Sequence, residues 1–547
     1  MIAAASDIWA GIDIGGQLRL FSPEIALVAT MLAIVTAPML LGRGARTIGT
    51  VATLGVLAAL VLVLRNFGVV APEGQGVLTP EAGSGMLIAD HLGTFFKLVL
   101  IVFLGGVTAL WWMGSASTER DAPEFFILLL GSALGMALMV STTNLLMMVI
   151  AIETASLPSY AIVGFNKRDA KGAEASLKYM VFGAISAATL IYGVSLLYGL
   201  TGGSLEIGDV ARAWYAETSG ANRLALGLGL IGLLVGIGFK ISAVPLHFWC
   251  PDAFEGAKTE VTTWLSVASK AAGLLLLARV VHGFTVNLPI TKADAGFLPY
   301  WSSVAPLAWG VGLMSIVTCT WANFAAYRQS NVKRMLAYSS IAHAGYMLMA
   351  GAVFLSPSAP DATAGMSALL TYIVIYMFMN LGAFGVVAMV GWRAGSEEMS
   401  AFTGLIRRAP LLAVPMIVCL VSLVGLPPFA GFIGKWWVLV ALGRQGTLLS
   451  WVLITAAALN TLFSLYYYMR VVVQMTLRDD GRPALSIPVG GAALVNFCAV
   501  ALCVLFVFVD PVKRASERYA SGLFEPRPTV RVSTGDADAP ALAERAP

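Results

Sequence analysis

Residues 235–249 read VGIGFKISAVPLHFW, and residues 423–438 read LVGLPPFAGFIGKWWV. Each stretch sets one lysine, Lys240 or Lys435, inside a long apolar segment with proline and glycine beside it. A soluble fold does not account for this. An ammonium at the centre of a bilayer costs about 2.5–3.5 kcal/mol even on the mildest insertion scales. A membrane protein that keeps two of them has a use for them in ion or proton movement.

The surrounding composition agrees. Of 547 residues, 58% are hydrophobic and 12% charged, against about a quarter charged in ordinary soluble domains. Apolar segments of about 20 residues recur from Pro23 to Val509, each long enough to cross a hydrocarbon core of about 30 Å as a helix. The expectation is an all-α polytopic membrane protein with about fourteen spans. They are placed at 22–41, 47–66, 96–113, 124–142, 143–164, 174–200, 224–249, 260–283, 303–324, 334–355, 365–392, 409–442, 448–476 and 487–509. Segment 409–442 is too long for one straight span and contains Pro427-Pro428, so it reads as one helix broken near the membrane centre.

Three parts follow: leading helices over 1–115, a core over 116–477, and a last helix over 478–509. The tail over 510–547 is rich in Pro, Ala, Arg, Asp and Glu and reads as disordered. The core reads as two five-helix halves, 124–283 and 303–476, because the fourth helix of each carries a lysine beside a helix breaker. Lys240 precedes Pro245, whereas Lys435 follows Pro427 and Pro428. That reversed order suits repeats of inverted topology, whose ion sites lie where the broken helices approach each other.

Net charge, +4, matters less than its distribution. Alternate loops are rich in Lys and Arg: Arg43 and Arg46, Arg120, Lys167, Arg168 and Lys171, Lys258, Arg328, Lys333 and Arg334, Arg393, Arg407 and Arg408, Arg478 and Arg482. The other set holds Arg212, Arg223, Lys292 and Arg444. The rich set is expected on the cytoplasmic side, with both termini outside. The start of the chain lacks the pattern of a cleaved signal peptide. Five cysteines without metal-ligand spacing read as packing residues, so no metal site is expected.

Five further residues join the two lysines. Glu153, in LLMMVIAIETASLPSY (145–160), sits inside an apolar stretch where an unpaired carboxylate is not tolerated; it reads as the partner of a lysine, or as a helix-packing carboxyl. Lys178, on the next helix, is a candidate partner at similar depth, unless it snorkels to the interface. His247 lies seven residues after Lys240, two turns on one face if the helix survives Pro245; packing alone is the competing reading. Lys270 and His343 each fall about ten residues into a span. Together Glu153, Lys178, Lys240, His247, Lys270, His343 and Lys435 form a row of ionisable groups at membrane depth, as a proton wire requires. Lys333 and Arg334 are expected at the cytoplasmic edge, orienting the chain. Aromatic runs such as LYYYMR (465–470) read as an interfacial belt or core rather than a quinone site. No phosphate-binding glycine loop and no CxxC pair occurs, so this chain is expected to bind neither NADH nor a cluster.

The blocks AIETASLPSYAIVGF (151–165), AEASLKYMVFGA (173–184), FKISAVPLHFWCPDAFEGA (239–257), RQSNVKRMLAYSSIAHAGYMLM (328–349) and LPPFAGFIGKWW (426–437) resemble the antiporter-like subunits of bacterial proton-pumping NADH-quinone oxidoreductase, respiratory complex I. Lysine rather than glutamate at 435, and no long lateral helix, point within that family to the N type. The resemblance implies an essential Glu153, a central Lys240, a further lysine at Lys270 and a terminal group at Lys435. It implies that separating Glu153 from Lys240 or Lys178 drives a proton onward through Lys270 and His343 to Lys435 and the outer side. NADH, FMN, iron–sulfur clusters and quinone would belong to partner subunits, the neighbours being subunits M, K and J. A bacterial inner membrane is the implied location, with no nucleic-acid partner. Related families keep the same lysines, so a subunit of a multi-subunit cation/proton antiporter or membrane-bound hydrogenase is an alternative. A non-pumping assembly scaffold is another, and a stand-alone solute carrier a third.

Overall fold

The computed structural model describes residues 14–524, except 41, 43, 68–74, 78–84, 115–120, 167–168, 218, 287–304, 357 and 480. The chain start, Arg43, Arg120, Lys167, Arg168, Lys292 and the stretch 525–547, on which expectations were placed, lie outside the described residues. The architecture is helical throughout apart from a short antiparallel pair, β1 (Gln75–Val77) with β2 (Leu87–Ala89).

Three leading membrane helices, α2 (Ser22–Leu40), α3 (Ala45–Asn66) and α4 (His91–Gly114), follow a short α1 (Ile14–Leu20). The next group is α5 (Ala122–Val140), α6 (Leu145–Val163), α7 (Ala170–Leu200), the short α8 (Ile207–Ala216), and then a broken helix of α9 (Gly220–Ile241) and α10 (Trp249–Gly256). It closes with α11 (Thr259–Trp264), a π-helical turn over Leu265–Ser269, and α12 (Lys270–Val286). The third group has the same order: α13 (Ala305–Ala326), α14 (Val332–Phe354), α15 (Ala359–Ala394), a short 3₁₀ turn and α16 (Leu405–Arg408), a second broken helix of α17 (Pro410–Val424) and α18 (Ala430–Gln445), and α19 (Leu448–Thr476). Helices α20 (Val489–Val507) and α21 (Asp510–Phe524) end the described chain.

Among the described residues twelve helices are long and apolar enough to cross a membrane. The expected fourteen counted two more. One is α14, whose Tyr338, Ser339, Ser340, His343 and Tyr346 lower its hydropathy; the other is α17 with α18, which are short because the chain breaks between them. The protein is a multi-pass membrane protein.

The two groups repeat one local device. Asn144 caps α6, accepting from the Leu146 and Met147 N–H groups, and Asn331 caps α14, accepting from Arg334 N–H. Each cap residue forms an antiparallel bridge, Asn144 with Glu206 and Asn331 with Glu398. The flanking N–H groups donate across both bridges alike, Leu145 to Leu205 O and Ile207 to Thr143 O in one, Val332 to Glu397 O and Met399 to Ser330 O in the other.

Both breaks have a backbone cause. α9 stops where Ser242 takes φ 66°, and α17 stops where Gly425 takes φ 85°; the left-handed region ends a helix and costs a non-glycine residue strain. A Cβ on Gly431 would fall 1.8 Å from Ser422 O, so only glycine lets α18 start this close to the end of α17.

The tail expectation is corrected over 510–524. The stretch is a helix packed on α15 and α4. Ala520 and Ser516 are buried, and Tyr519 meets the rings of Phe67, His91 and Phe95 at 5.2–5.5 Å. Its average polarity looked disordered; its one-sided apolar face is what docks.

Candidate functional site

The first broken helix, α6 and the α11–α12 pair enclose Lys240. It is fully buried, and its ammonium donates to Ser156 Oγ at 3.2 Å. Ser156 sits three residues after Glu153 on α6, so both face the α9 break. No direct ion pair joins Glu153 to Lys240; Glu153 Oε1 is buried without a hydrogen-bond partner. The carboxylate nevertheless acts on Lys240 electrostatically, as does the ammonium of Lys270. Where a direct pair was expected, Lys240 is held by Ser156, whose own hydroxyl donates to Ile152 O at 2.6 Å.

Lys178 lies elsewhere. It pairs with Glu174 at 2.7 Å and Asp252 at 2.9 Å, its side chain 42% exposed. Together with Lys171, Glu255 and Arg334 these residues line a polar pocket of about 160 Å³. The partner of Lys178 is therefore not Glu153 but Asp252, on α10, which reaches it from 74 residues away. His247 is also displaced from the expected face. The helix ends at Ile241, so the seven-residue spacing no longer sets direction, and the imidazole packs on Phe248 and Trp321, toward α13.

Lys270 owes its position to the π-helical turn. One extra residue in that turn leaves the Leu265 carbonyl turned toward the lysine, which donates to it at 3.4 Å and to Cys250 Sγ at 3.3 Å. Its ammonium also lies over the rings of Trp249 and Phe254, at 5.1 and 4.5 Å. Ser269, the residue before it, donates to the Lys240 carbonyl at 3.0 Å, so the two lysine segments are tied directly.

The same turn reaches the other half of the core. Ser340 of α14 donates to Ser266 O at 3.1 Å, one turn from His343. His343 is buried between two phenols, its Nδ1 at 2.8 Å from Tyr372 Oη and its Nε2 at 3.4 Å from Tyr468 Oη. Tyr468 in turn bonds Ser339. Lys435 of α18 completes the line. It donates to Val424 O, the free carbonyl end of α17, at 2.8 Å, and lies 4.2 Å from the centre of the Tyr346 ring. Its charge is felt at His343.

The structure thus gathers Lys240, Lys270, His343 and Lys435 into one buried line with Glu153 at its head, and leaves Lys178 and His247 off it. The hydroxyls of Ser156, Ser269, Ser340, Tyr372 and Tyr468 and the Ser266 carbonyl escaped the sequence reading, since serine and tyrosine are common in membrane helices and no spacing marks them. Lys333 reads in the sequence only as an orienting charge. It is buried, donates to Ala257 O at 2.8 Å at the end of α10, and pairs with Glu397 at 3.0 Å. Beside it Arg334 reaches Asp252 and Glu255 at 2.6 and 2.8 Å. These two bind α14 to the short half of the first broken helix, a structural duty beyond orientation. Among the described residues no cluster of His, Cys, Asp and Glu could hold a metal.

Comparison with known proteins places this arrangement. Residues 142–461 match the profile of the family described as NADH:quinone oxidoreductase/Mrp antiporter, TM. NADH-quinone oxidoreductase subunit N of Anaeromyxobacter sp. is 37% identical over 519 residues, covering 91% of this chain and 95% of that protein. A chain of respiratory complex I from Thermus thermophilus, solved with bound aureothin, superposes with a TM-score of 0.72 at 30% identity, over 91% of this chain and 99% of that one. A chain of the Mrp complex from Dietzia sp. shares the fold, with a TM-score of 0.75 at 18% identity over 94% of this chain and 98% of that one.

Proposed function

The chain belongs to the NADH:quinone oxidoreductase/Mrp antiporter membrane family, and from that premise we propose that it is an N-type membrane-arm subunit of an NADH-quinone oxidoreductase. There it translocates protons across the membrane while electrons pass from NADH to quinone elsewhere in the complex. It works as part of a multi-subunit membrane complex; subunits M, K and J are the proposed neighbours. FMN, iron–sulfur clusters and quinone are assigned to partner subunits.

One observation carries the reading: buried lysines and a histidine, linked by hydroxyls and turned-out carbonyls, run from one broken helix to the other. Buried charges of this kind are expensive in a membrane and mark proton paths. Glu153 modulates Lys240 electrostatically, without a direct bond. A shift that separates Glu153 from Lys240 favours release of the lysine proton toward Lys270 and onward to His343 and then Lys435, and the bond from Ser340 to the Ser266 carbonyl holds the π-helical turn against α14 along that way. The second break supplies the Val424 carbonyl to Lys435, while Ser156 of α6 and the Leu265 carbonyl of the π-helical turn accept from Lys240 and Lys270. Lys178 with Asp252 and Arg334 is assigned to the entry side, and His247 to the wall of the α9 break. The paired Asn144 and Asn331 bridges support a core of two five-helix repeats, 124–283 and 303–476, after leading helices over 1–115. The loop charges support both termini outside, and the similarity to bacterial subunit N supports a bacterial inner membrane.

The test is NADH-driven proton pumping in vesicles carrying Lys240→Met, with the subunit composition of the complex checked in parallel. Pumping should fall at least tenfold with assembly intact. Unchanged pumping would overturn the assignment and leave the chain as a scaffold.

A further inference from the structure

Lys435 forms part of the wall of a cavity of about 260 Å³ between α14, α18 and α19. Apart from its ammonium, Tyr346 and Thr461, the wall is apolar, with Met349, Phe432, Trp436 and Leu439 contributing most of the side-chain bulk. The ammonium meets only neutral acceptors, Val424 O and Thr461 Oγ1, and among the described residues no carboxylate pairs with it. Lys97, Arg279 and Lys333 are each compensated, by Glu24 at 2.5 Å, Asp90 at 2.6 Å and Glu397 at 3.0 Å; Lys240 and Lys270 rest on neutral acceptors as Lys435 does, and Lys435 is distinguished from them by the cavity that opens beside its ammonium. A buried cation without a counter-charge is costly in a low dielectric, and an anion that enters the cavity removes that cost.

The position of the opening decides where such an anion comes from. At the mouth, Trp436 is 48% exposed and Ala458 is exposed, and Leu426, Leu459 and Leu462 continue an apolar outer face beside them. A face of this kind on a membrane-spanning helix pair borders lipid chains, so the cavity fills from the bilayer rather than from water. Its size lies near the lower end for small organic ligands, roughly 300 Å³.

We propose that this cavity binds a long-chain free fatty acid, its carboxylate on the Lys435 ammonium and its first methylenes along Phe432, Trp436 and Leu439. A single-chain carboxylate, rather than a two-chain phospholipid, matches a cavity of about 260 Å³ that presents one ammonium. The proposal goes beyond proton transfer and rests only on the membrane placement of the broken helix.

The test uses the assembled complex in native membranes, incubated with a palmitic acid analogue carrying a photoreactive diazirine and an alkyne, irradiated and mapped by peptide mass spectrometry. Label is expected within 432–439 or 457–461, competed by excess palmitate and not by methyl palmitate. Lys435→Gln should lower it at least tenfold. Ala458→Trp should lower it similarly by blocking the mouth from an exposed position, which keeps the experiment decisive if Lys435→Gln fails to assemble. Absence of label, equal competition by the methyl ester, or label indifferent to both substitutions would overturn the proposal and assign the cavity to ordinary lipid or to a neighbouring subunit. The Lys240→Met pumping assay reads the function separately, so either conclusion can fail alone.

Discussion

Single residues divide here by whether their chemistry is visible without a partner. A lysine or histidine in an apolar run announces itself, and so Lys240, Lys270, His343 and Lys435 were legible in the sequence. Lys178 announced itself equally and was given the wrong partner, because the acid that holds it comes from α10. Ser340 gave no sign at all. Its bond to Ser266 O is the direct polar link between the π-helical turn and α14. Ser340→Ala should cost the equivalent of about 0.5–1.5 kcal/mol in the transfer step, a fall of roughly two- to tenfold in pumping rate with assembly intact, read in vesicles. Arg279 and Asp90 form a buried pair that also takes in Val140 O and the Gly93 N–H. Burial alone would raise the Asp90 carboxyl, but Arg279 and these hydrogen bonds outweigh it and hold it below its ordinary value of 3.8. The stabilisation is therefore present above about pH 4 and drains away as the pH falls through the lower folded value. Asp90→Asn should cost about 3–5 kcal/mol by leaving a buried guanidinium uncompensated, seen as a lower Tm of the purified complex.

At the scale of elements, apolar length and glycine–proline punctuation located the spans and both breaks, because hydrocarbon thickness and backbone sterics act locally. Two elements were hidden. The π-helical turn over Leu265–Ser269 has no sequence signature; it exists because the packing around Lys270 accommodates one residue more than an α-helix would. Helix α21 was hidden by its average polarity, since docking depends on one face and not on the mean. That face sets Tyr519 among Phe67, His91 and Phe95 and lays Lys513 3.7 Å from the centre of the Trp437 ring. Tyr519→Ala should destabilise the subunit by about 1–3 kcal/mol, from aromatic pairs worth about 0.5–1.5 kcal/mol each, and should make α21 susceptible to limited proteolysis.

Across the whole molecule, the two halves of the core meet along α10, α11, the π-helical turn and α12 on one side and α14 and α15 on the other. Lys333 holds that seam from the end of α14. Lys333→Met should weaken it by about 1–3 kcal/mol, discounted because Glu397 is partly exposed. NADH oxidation should continue while protons pumped per electron fall; an unchanged ratio would show that the seam does not couple the halves. By itself the sequence determined that the protein lies in a membrane, where its helices break, and that Lys240, Lys270, His343 and Lys435 are buried, since each follows from the cost of a polar group in hydrocarbon along one segment. Only the tertiary structure decided which of those charges meet. The contacts Lys240 with Ser156, Lys178 with Asp252, and Ser340 with Ser266 join residues 74 to 84 positions apart. No local pattern encodes such pairings, because they arise when helices cross, and the crossings are set by the packing of the whole bundle.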